Sequence, residues 1–284
     1  MAPAHCQLWG VLNITPDSFS DGGRFLESQA ALRHAEQMIA EGADCIDVGG
    51  ASSRPRGSVY GGGAAEVSPQ EEARRVGPVI EALRTRFDVP ISVDTTRPEV
   101  ALCALEAGAT IVNDVSGGAD QGLLDVVARS SAELVLMHTR GDGSVTRDNT
   151  RYTDVVADVG NELAAAVARA MEVGVERGRI WLDPGIGFAK TAEQSSALLG
   201  ATAQLANLGH RLLVGPSRKA FIAAAAPNAD GSSPGPLERE HGTAAAVAAA
   251  VLGGAHAVRV HAVAPMRQAV RVAEAMRPSF GAST

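Results

Sequence analysis

Residues 182–190 read LDPGIGFAK, an apolar run that stops on the carboxylate of Asp183 and turns at once through Gly185 and Gly187. A carboxylate closing a strand points into whatever cavity lies beyond the sheet, and glycine lets backbone approach a ligand closely. The pattern recurs along the chain. Short apolar runs end on Asn13, Asp47, Asp94, Asn113 with Asp114, His138, Asp183, Ser217 with Arg218 and Lys219, and Arg259 with His261, whereas the starts of those runs carry none of this chemistry. Any one of these groups reads equally well as a loop cap or a structural hydrogen-bond hub. A whole series of them is the mark of an active face.

The residue types divide by charge. Arg54, Arg218, Lys219, Arg259 and His261 follow or end the second, seventh and eighth runs, and such a group suits a polyanion, so a phosphorylated substrate is implied. Arg259 and His261 alternate within an apolar strand, which turns both inward, where charge is seldom incidental. Asp94, Asn113 and Asp183 suit a flat heteroaromatic ring whose amidine-like edge presents adjacent N–H donors, one carboxylate accepting the pair and the amide completing the edge. Asn13, Asp17 and Asp21 offer hard oxygen ligands near the anion site, so Mg²⁺ bridged by the anion is the expected metal, and no zinc motif is present. No Ser/His/Asp or Cys/His set is spaced for nucleophilic catalysis, and a covalent intermediate is not expected.

The elements that must position these groups are legible from pattern. Strands are predicted over 7–14, 45–50, 90–95, 111–116, 133–138, 180–185, 212–217 and 257–262, with helices near 28–42, 68–86, 97–107, 119–131, 153–177, 191–208, 238–254 and 264–277. Buried strands alternating with helices imply a parallel sheet, and eight repeats in 284 residues favour closure into an α/β TIM barrel, a single domain over 1–284. The C-terminal ends of all eight strands then face one mouth. Loops 15–24, 51–67 and 139–151 lie on that face and are candidate lids, whereas 227–236 is read as a plain insertion.

Composition excludes several classes. With 45% hydrophobic and 20% charged residues the chain can bury a core, and 25 basic against 32 acidic residues, a net charge of −7, argue against nucleic acid as a partner. Cys6, Cys45 and Cys103 are odd in number and scattered, which fits a reducing, cytoplasmic setting better than a disulfide framework. Neither a secretory signal nor an apolar run of membrane-spanning length is present, so no membrane association is expected.

VLNITPDSFSDGG at 11–23, DVGGASSRP at 47–55, SVDT at 92–95, NDVSG at 113–117, LMH at 136–138, DPGIGF at 183–188, GPSRKAF at 215–221 and VRVH at 258–261 together resemble the dihydropteroate synthase family, over nearly the whole chain and in the family's order. The resemblance implies condensation of 6-hydroxymethyl-7,8-dihydropterin pyrophosphate with 4-aminobenzoate in folate biosynthesis, by a sulfonamide-sensitive homodimer. By that resemblance Asp94, Asn113, Asp183 and Lys219 hold the pterin, with Met137 and Phe188 against the ring. Asn13 holds the Mg²⁺–pyrophosphate, and Arg54, Arg259 and His261 serve the same anion. Phe19, Ser53, Pro55, Ser217 and Ala220 border the amine, and Asp94, Lys219 and Arg54 are the residues expected to act in catalysis.

Four positions depart from the family's usual words. Ala51 stands where glutamate is usual, Ala189 where glycine is, Ala220 where serine is and Ala262 where aspartate is, and the stretch 56–63 is long for the family. The ring residues are intact, and the departures fall on the second loop and the amine pocket. Two other functions share such a ring site: a pterin-dependent methyltransferase, and a pterin-binding paralogue that is non-catalytic or of altered specificity.

Overall fold

The computed structural model describes residues 5–14, 23–51 and 67–277. Eight parallel strands, β1 (Gln7–Asn13), β2 (Cys45–Gly49), β3 (Ile91–Asp94), β4 (Ile111–Asp114), β5 (Glu133–Met137), β6 (Ile180–Asp183), β7 (Arg211–Val214) and β8 (Ala257–Val260), close in sequence order into a barrel, β8 pairing with β1. Outside it run α1 (Gly23–Ala40), α2 (Pro69–Arg86), α3 (Pro98–Glu106), α4 (Gln121–Ala128), α5 (Val155–Glu172), α6 (Ala192–Gly200), α7 (Thr202–Ala206), α8 (Ala220–Ala225), α9 (Glu240–Leu252) and α10 (Val263–Met276). The expected TIM barrel is present. No helix among the described residues is long and apolar enough to cross a membrane.

Two cores divide the work. The larger lies between strands and helices, where residues such as Leu8, Ile46, Val93 and Val258 meet Val76, Ile80, Val247 and Met266. The smaller fills the barrel itself and consists of Trp9, Cys45, Ile111, Val135, Trp181, Leu213 and Ala257, with the two indoles edge to face at 5.3 Å. Because side chains alternate faces along a strand, stepping by two from this plug toward the mouth keeps pointing inward. From Trp9 the steps reach Val11 and Asn13; from Cys45, Asp47; from Ile111, Asn113; from Val135, Met137; from Trp181, Asp183; from Ala257, Arg259. The plug therefore sets the register that aims the site.

Three expectations need correction. Strand starts are not free of charge: at the opposite end of the barrel Glu133 accepts from the Trp181 indole at 2.7 Å and pairs with Arg211 at 2.6 Å, closing the plug from below. The predicted helix over 191–208 is two helices, because Ala201 (φ −92°, ψ 14°) leaves helical geometry between α6 and α7. The short α8, directly after the SRK word, is an element that the pattern does not predict, since its AFIAAA carries no helical periodicity long enough to read.

Candidate active site

At the floor of the mouth Arg259 pairs through Nε with Asp47 and through Nη2 with Asp94 at 2.6 Å, while Asn113 donates from Nδ2 to Asp47 at 3.3 Å. Burial works against the Arg259 charge, yet the two adjacent carboxylates outweigh it and hold the guanidinium firmly protonated. Asp47 is a residue whose role the sequence did not disclose: it is fully buried in mid-strand and shares one oxygen between Arg259 and Asn113. Its Oδ1 and the Oδ1 of Asn113 are buried without a hydrogen-bond partner among the described residues. A buried acceptor left open in this way is what a ligand N–H satisfies.

Above this floor the mouth is lined by Asn113, Met137, Asp183, Phe188, Ser217, Lys219, Arg259 and His261, with Val11, Val115, Gly185, Ile186 and Gly215 between them. Asp183 accepts from Gly185 N–H at 2.7 Å, which orients the carboxylate, and Gly215 leaves its other oxygen uncrowded, 3.9 Å from where a Cβ would stand. Burial pushes the Asp183 carboxyl above the usual range, an effect partly offset by that Gly185 bond and by the charges of Lys219, Arg259 and Lys190. Across the mouth Lys219 Nζ sits 4.0 Å over the centroid of the Phe188 ring. A flat ligand entering here meets acceptors along one edge, with the Lys219–Phe188 pair beside it.

Most predicted residues converge here, with two changes of role. Arg218 does not join the cations of the mouth; its Nε is bound to Glu240 at 2.5 Å. Ser217 is committed to His261, bonding its Nδ1 at 3.0 Å and accepting from its backbone N–H at 3.2 Å, so the two expected subsites are joined. Ala220 opens α8, after a Lys219 that makes no side-chain cap. Phe19, Ser53, Arg54, Pro55, Asp17 and Asp21 lie outside the described residues. Asn13 ends β1 exposed. Among the described residues no three His, Cys, Asp or Glu groups gather to hold a metal. Among the described residues the Asn13 amide oxygen is a hard donor of the kind Mg²⁺ takes beside a ligand's phosphates.

Behind Phe188 lies a cluster that the sequence does not announce. Lys190, only 2% exposed, donates to Phe188 O at 2.9 Å and bonds His138 Nδ1 at 2.9 Å; His138 Nε2 in turn bonds Glu162 at 2.9 Å, and Glu162 pairs with Arg140. Burial pulls Lys190 down to about 7 and His138 down to about 4, each further lowered by neighbouring cations and opposed by nearby carboxylates. His138 thus serves as an acceptor for lysine and a donor to Glu162. The loop 139–151, expected as a lid, is part of this wall: Gly143 O accepts from Ala189 N–H at 2.7 Å and Gln194 donates to Thr150 O at 2.9 Å.

Ala189, where the family usually has glycine, adopts φ 49° and is fully buried. Left-handed backbone costs alanine about 1–2 kcal/mol, while glycine loses about 0.4–1 kcal/mol more chain entropy on folding. The two nearly cancel, so Ala189→Gly should change the free energy of unfolding in urea by less than about 1 kcal/mol. A larger shift in either direction would mean that packing of the methyl group, not backbone conformation, decides this position.

A family model described as "Pterin binding enzyme" matches residues 9–261. The chain is 47% identical to a dihydropteroate synthase of Synechocystis sp., covering 94% of this chain and 89% of that one. A solved Xanthomonas albilineans dihydropteroate synthase with 4-aminobenzoic acid superposes with a TM-score of 0.84 at 39% identity over 95% of this chain and 93% of that one. The same organism's enzyme in complex with 7,8-dihydropteroate gives 0.81 at 36%, over 95% and 93%. The match takes in every described strand end that builds the mouth, and the chain belongs to the pterin-binding enzymes, in the dihydropteroate synthase family.

Proposed function

We propose that this mouth condenses 6-hydroxymethyl-7,8-dihydropterin pyrophosphate with 4-aminobenzoate to give 7,8-dihydropteroate and pyrophosphate. The observation that carries the reading is the juxtaposition of the open buried acceptor on Asn113 and the buried Asp183 carboxylate with the Phe188–Lys219 pair, Arg259 and the His261 imidazole. The pterin's adjacent ring N–H groups donate to Asp183, and the ring lies against Phe188 and Met137. The pyrophosphate extends toward Asn13, Arg259 and His261. Magnesium, when bound with the pyrophosphate, neutralises charge on the leaving group, and Asn13 is the described residue suited to hold it.

In the reaction the amine nitrogen bonds to the pterin methylene carbon, the carbon–oxygen bond breaks, its electron pair leaves on pyrophosphate, and the amine proton passes to solvent. Asp47 and Asp94 face a single guanidinium, which leaves a net negative charge at the floor to stabilise a cationic methylene as the bond breaks. Lys219 and His261 favour the departing anion. The decisive assay is steady-state pyrophosphate release with and without 4-aminobenzoate. Release that requires the amine supports the synthase, release without it signals a hydrolytic paralogue, and none at all leaves a binding protein.

The amine's carboxylate reaches the first turn of α8, where Ala220 offers only backbone. A hydrogen bond to a charged group contributes about 1.5–3 kcal/mol, part of which water replaces at an open pocket. Ala220→Ser should therefore lower the Michaelis constant for 4-aminobenzoate roughly tenfold with kcat little changed, because a remote carboxylate is bound equally in ground and transition states. Sulfonamide affinity should rise in parallel. Superimposable titration curves would place the carboxylate elsewhere. We further propose a cytoplasmic location, in keeping with three unpaired cysteines, and a homodimer, supported by the exposed Leu252, Val272 and Met276 on the mutually packed α9 and α10 and measurable by light scattering.

A further inference from the structure

Among the described residues the non-glycine positions with left-handed backbone are Ala189 (φ 49°) and Arg218 (φ 59°). Each adjoins one member of the Phe188–Lys219 pair that faces across the mouth. A long side chain occupies this region only when its surroundings force it there, and such positions gather at functional sites. At Arg218 the forcing contacts all come from one short segment at the start of α9. Thr243 Oγ1 accepts from Arg218 N–H at 3.1 Å, Arg239 Nη1 donates to Arg218 O at 2.9 Å, and Glu240 Oε1 accepts from Arg218 Nε at 2.5 Å. Backbone donor, backbone acceptor and side chain are all engaged by a segment more than twenty positions further along the chain.

We propose that Arg239, Glu240 and Thr243 are positioning residues for the reaction: a clamp that imposes the left-handed turn at Arg218 and so directs Ser217 onto His261 and Lys219 over Phe188. None of the three lines the mouth, so they act only through Arg218. The clamp is built to hold. Thr243 is fully buried, and Glu240 opens α9, where the helix dipole favours its carboxylate. The second Glu240 oxygen is buried without a hydrogen-bond partner among the described residues, so that carboxylate is committed to Arg218. Were residue 218 to relax to an ordinary backbone conformation, the chain direction at Lys219 would change and the cation would leave the ring.

The inference rests on reading the mouth as the pterin site, and the test separates the two. Thr243→Val and Glu240→Gln remove single clamp contacts at nearly constant volume. In otherwise native enzyme each should lower kcat/KM for the pterin pyrophosphate roughly 10²-fold, the loss typical of misplacement by about an ångström, while the circular dichroism spectrum stays native. Arg218→Gly adopts the same turn unaided and keeps the backbone N–H that Thr243 receives, so in that background Thr243→Val should cost less than about threefold, a non-additivity that mere destabilisation does not produce. A crystal structure of the Thr243→Val enzyme supplies a readout that needs no turnover, with residue 218 out of the left-handed region and Lys219 off the Phe188 ring. Unchanged kcat/KM in both variants, an equal loss in the glycine background, or an unchanged turn in the crystal would each overturn the clamp. A native enzyme that binds no 6-hydroxymethylpterin would instead overturn the functional reading, with the clamp judged by the crystal structure.

Discussion

Arg259→Ala should be severely destabilised, and its damage should extend beyond the anion site. Arg259 is the cation between Asp47, fully buried, and Asp94, 5% exposed. Removing one partner of a buried pair costs about 3–5 kcal/mol, because the remaining charge loses its counter-ion without regaining water. Two carboxylates are left here, out of a total stability that for most domains is about 5–15 kcal/mol. From the sequence alone, alternation of Arg259 and His261 suggests that both bind the leaving anion and that their loss spares the bare ring. The structure changes that expectation for Arg259 alone. His261→Ala should weaken the pyrophosphate ester far more than 6-hydroxymethylpterin, while Arg259→Ala should weaken both and lower the unfolding midpoint steeply. The double substitution Arg259→Met with Asp47→Asn supplies the control, since it removes a charge of each sign and should recover much of the stability. An Arg259→Ala protein of native stability and native pterin affinity would show that Asp47 and Asp94 find compensation elsewhere.

What was legible from sequence, and what was not, follows the range of the interactions involved. Period-two alternation is local, so Asp183 two steps above Trp181 and Arg259 two steps above Ala257 are readable as inward-facing once the strands are recognised. Pairing among inward groups is not local. Nothing in the neighbourhood of Asp47 announces that it shares Arg259 with Asp94, a contact spanning 212 positions. The same limit hides Lys190, which reads as an ordinary surface lysine after a glycine-rich turn and is in fact sealed beneath Phe188 against His138. Arg218 misleads for a backbone reason. It lies between two residues that enter the mouth, but φ 59° and the pull of Glu240 send its side chain away. Composition misleads at the loop 139–151: glycines and polar residues suggest a lid, whereas Gly143 and Asp142 serve turns, and Gly143 is braced on the 185–190 loop.

Asp183→Asn should leave the fold intact while removing most of the pterin affinity, and pH should separate the two effects. The amide keeps one acceptor for Gly185 N–H, so the turn persists. Its NH₂ group then faces the ring's donors, and a charge-assisted pair is lost at a cost of about 1.5–3 kcal/mol, a roughly 10- to 150-fold weaker complex. Stability should move the other way. Burial raises the Asp183 carboxyl above its unfolded value, so the folded protein holds a proton more tightly than the unfolded chain. The unfolding free energy therefore falls as pH rises from the ordinary carboxylate range through the raised value, and above it the native charge carries a constant penalty. Asparagine has none, so the variant should be at least as stable as the native protein at pH 7. Ligand binding reverses the dependence: native affinity for 6-hydroxymethylpterin should decline as pH drops through the raised Asp183 value, because the protonated carboxyl cannot accept both ring donors, and the variant should be flat there. Calorimetric titrations of both proteins across that range decide the matter. Parallel pH profiles would mean that Asp183 is not the group that receives the ring, and that the open acceptor on Asn113 serves a different edge of the ligand.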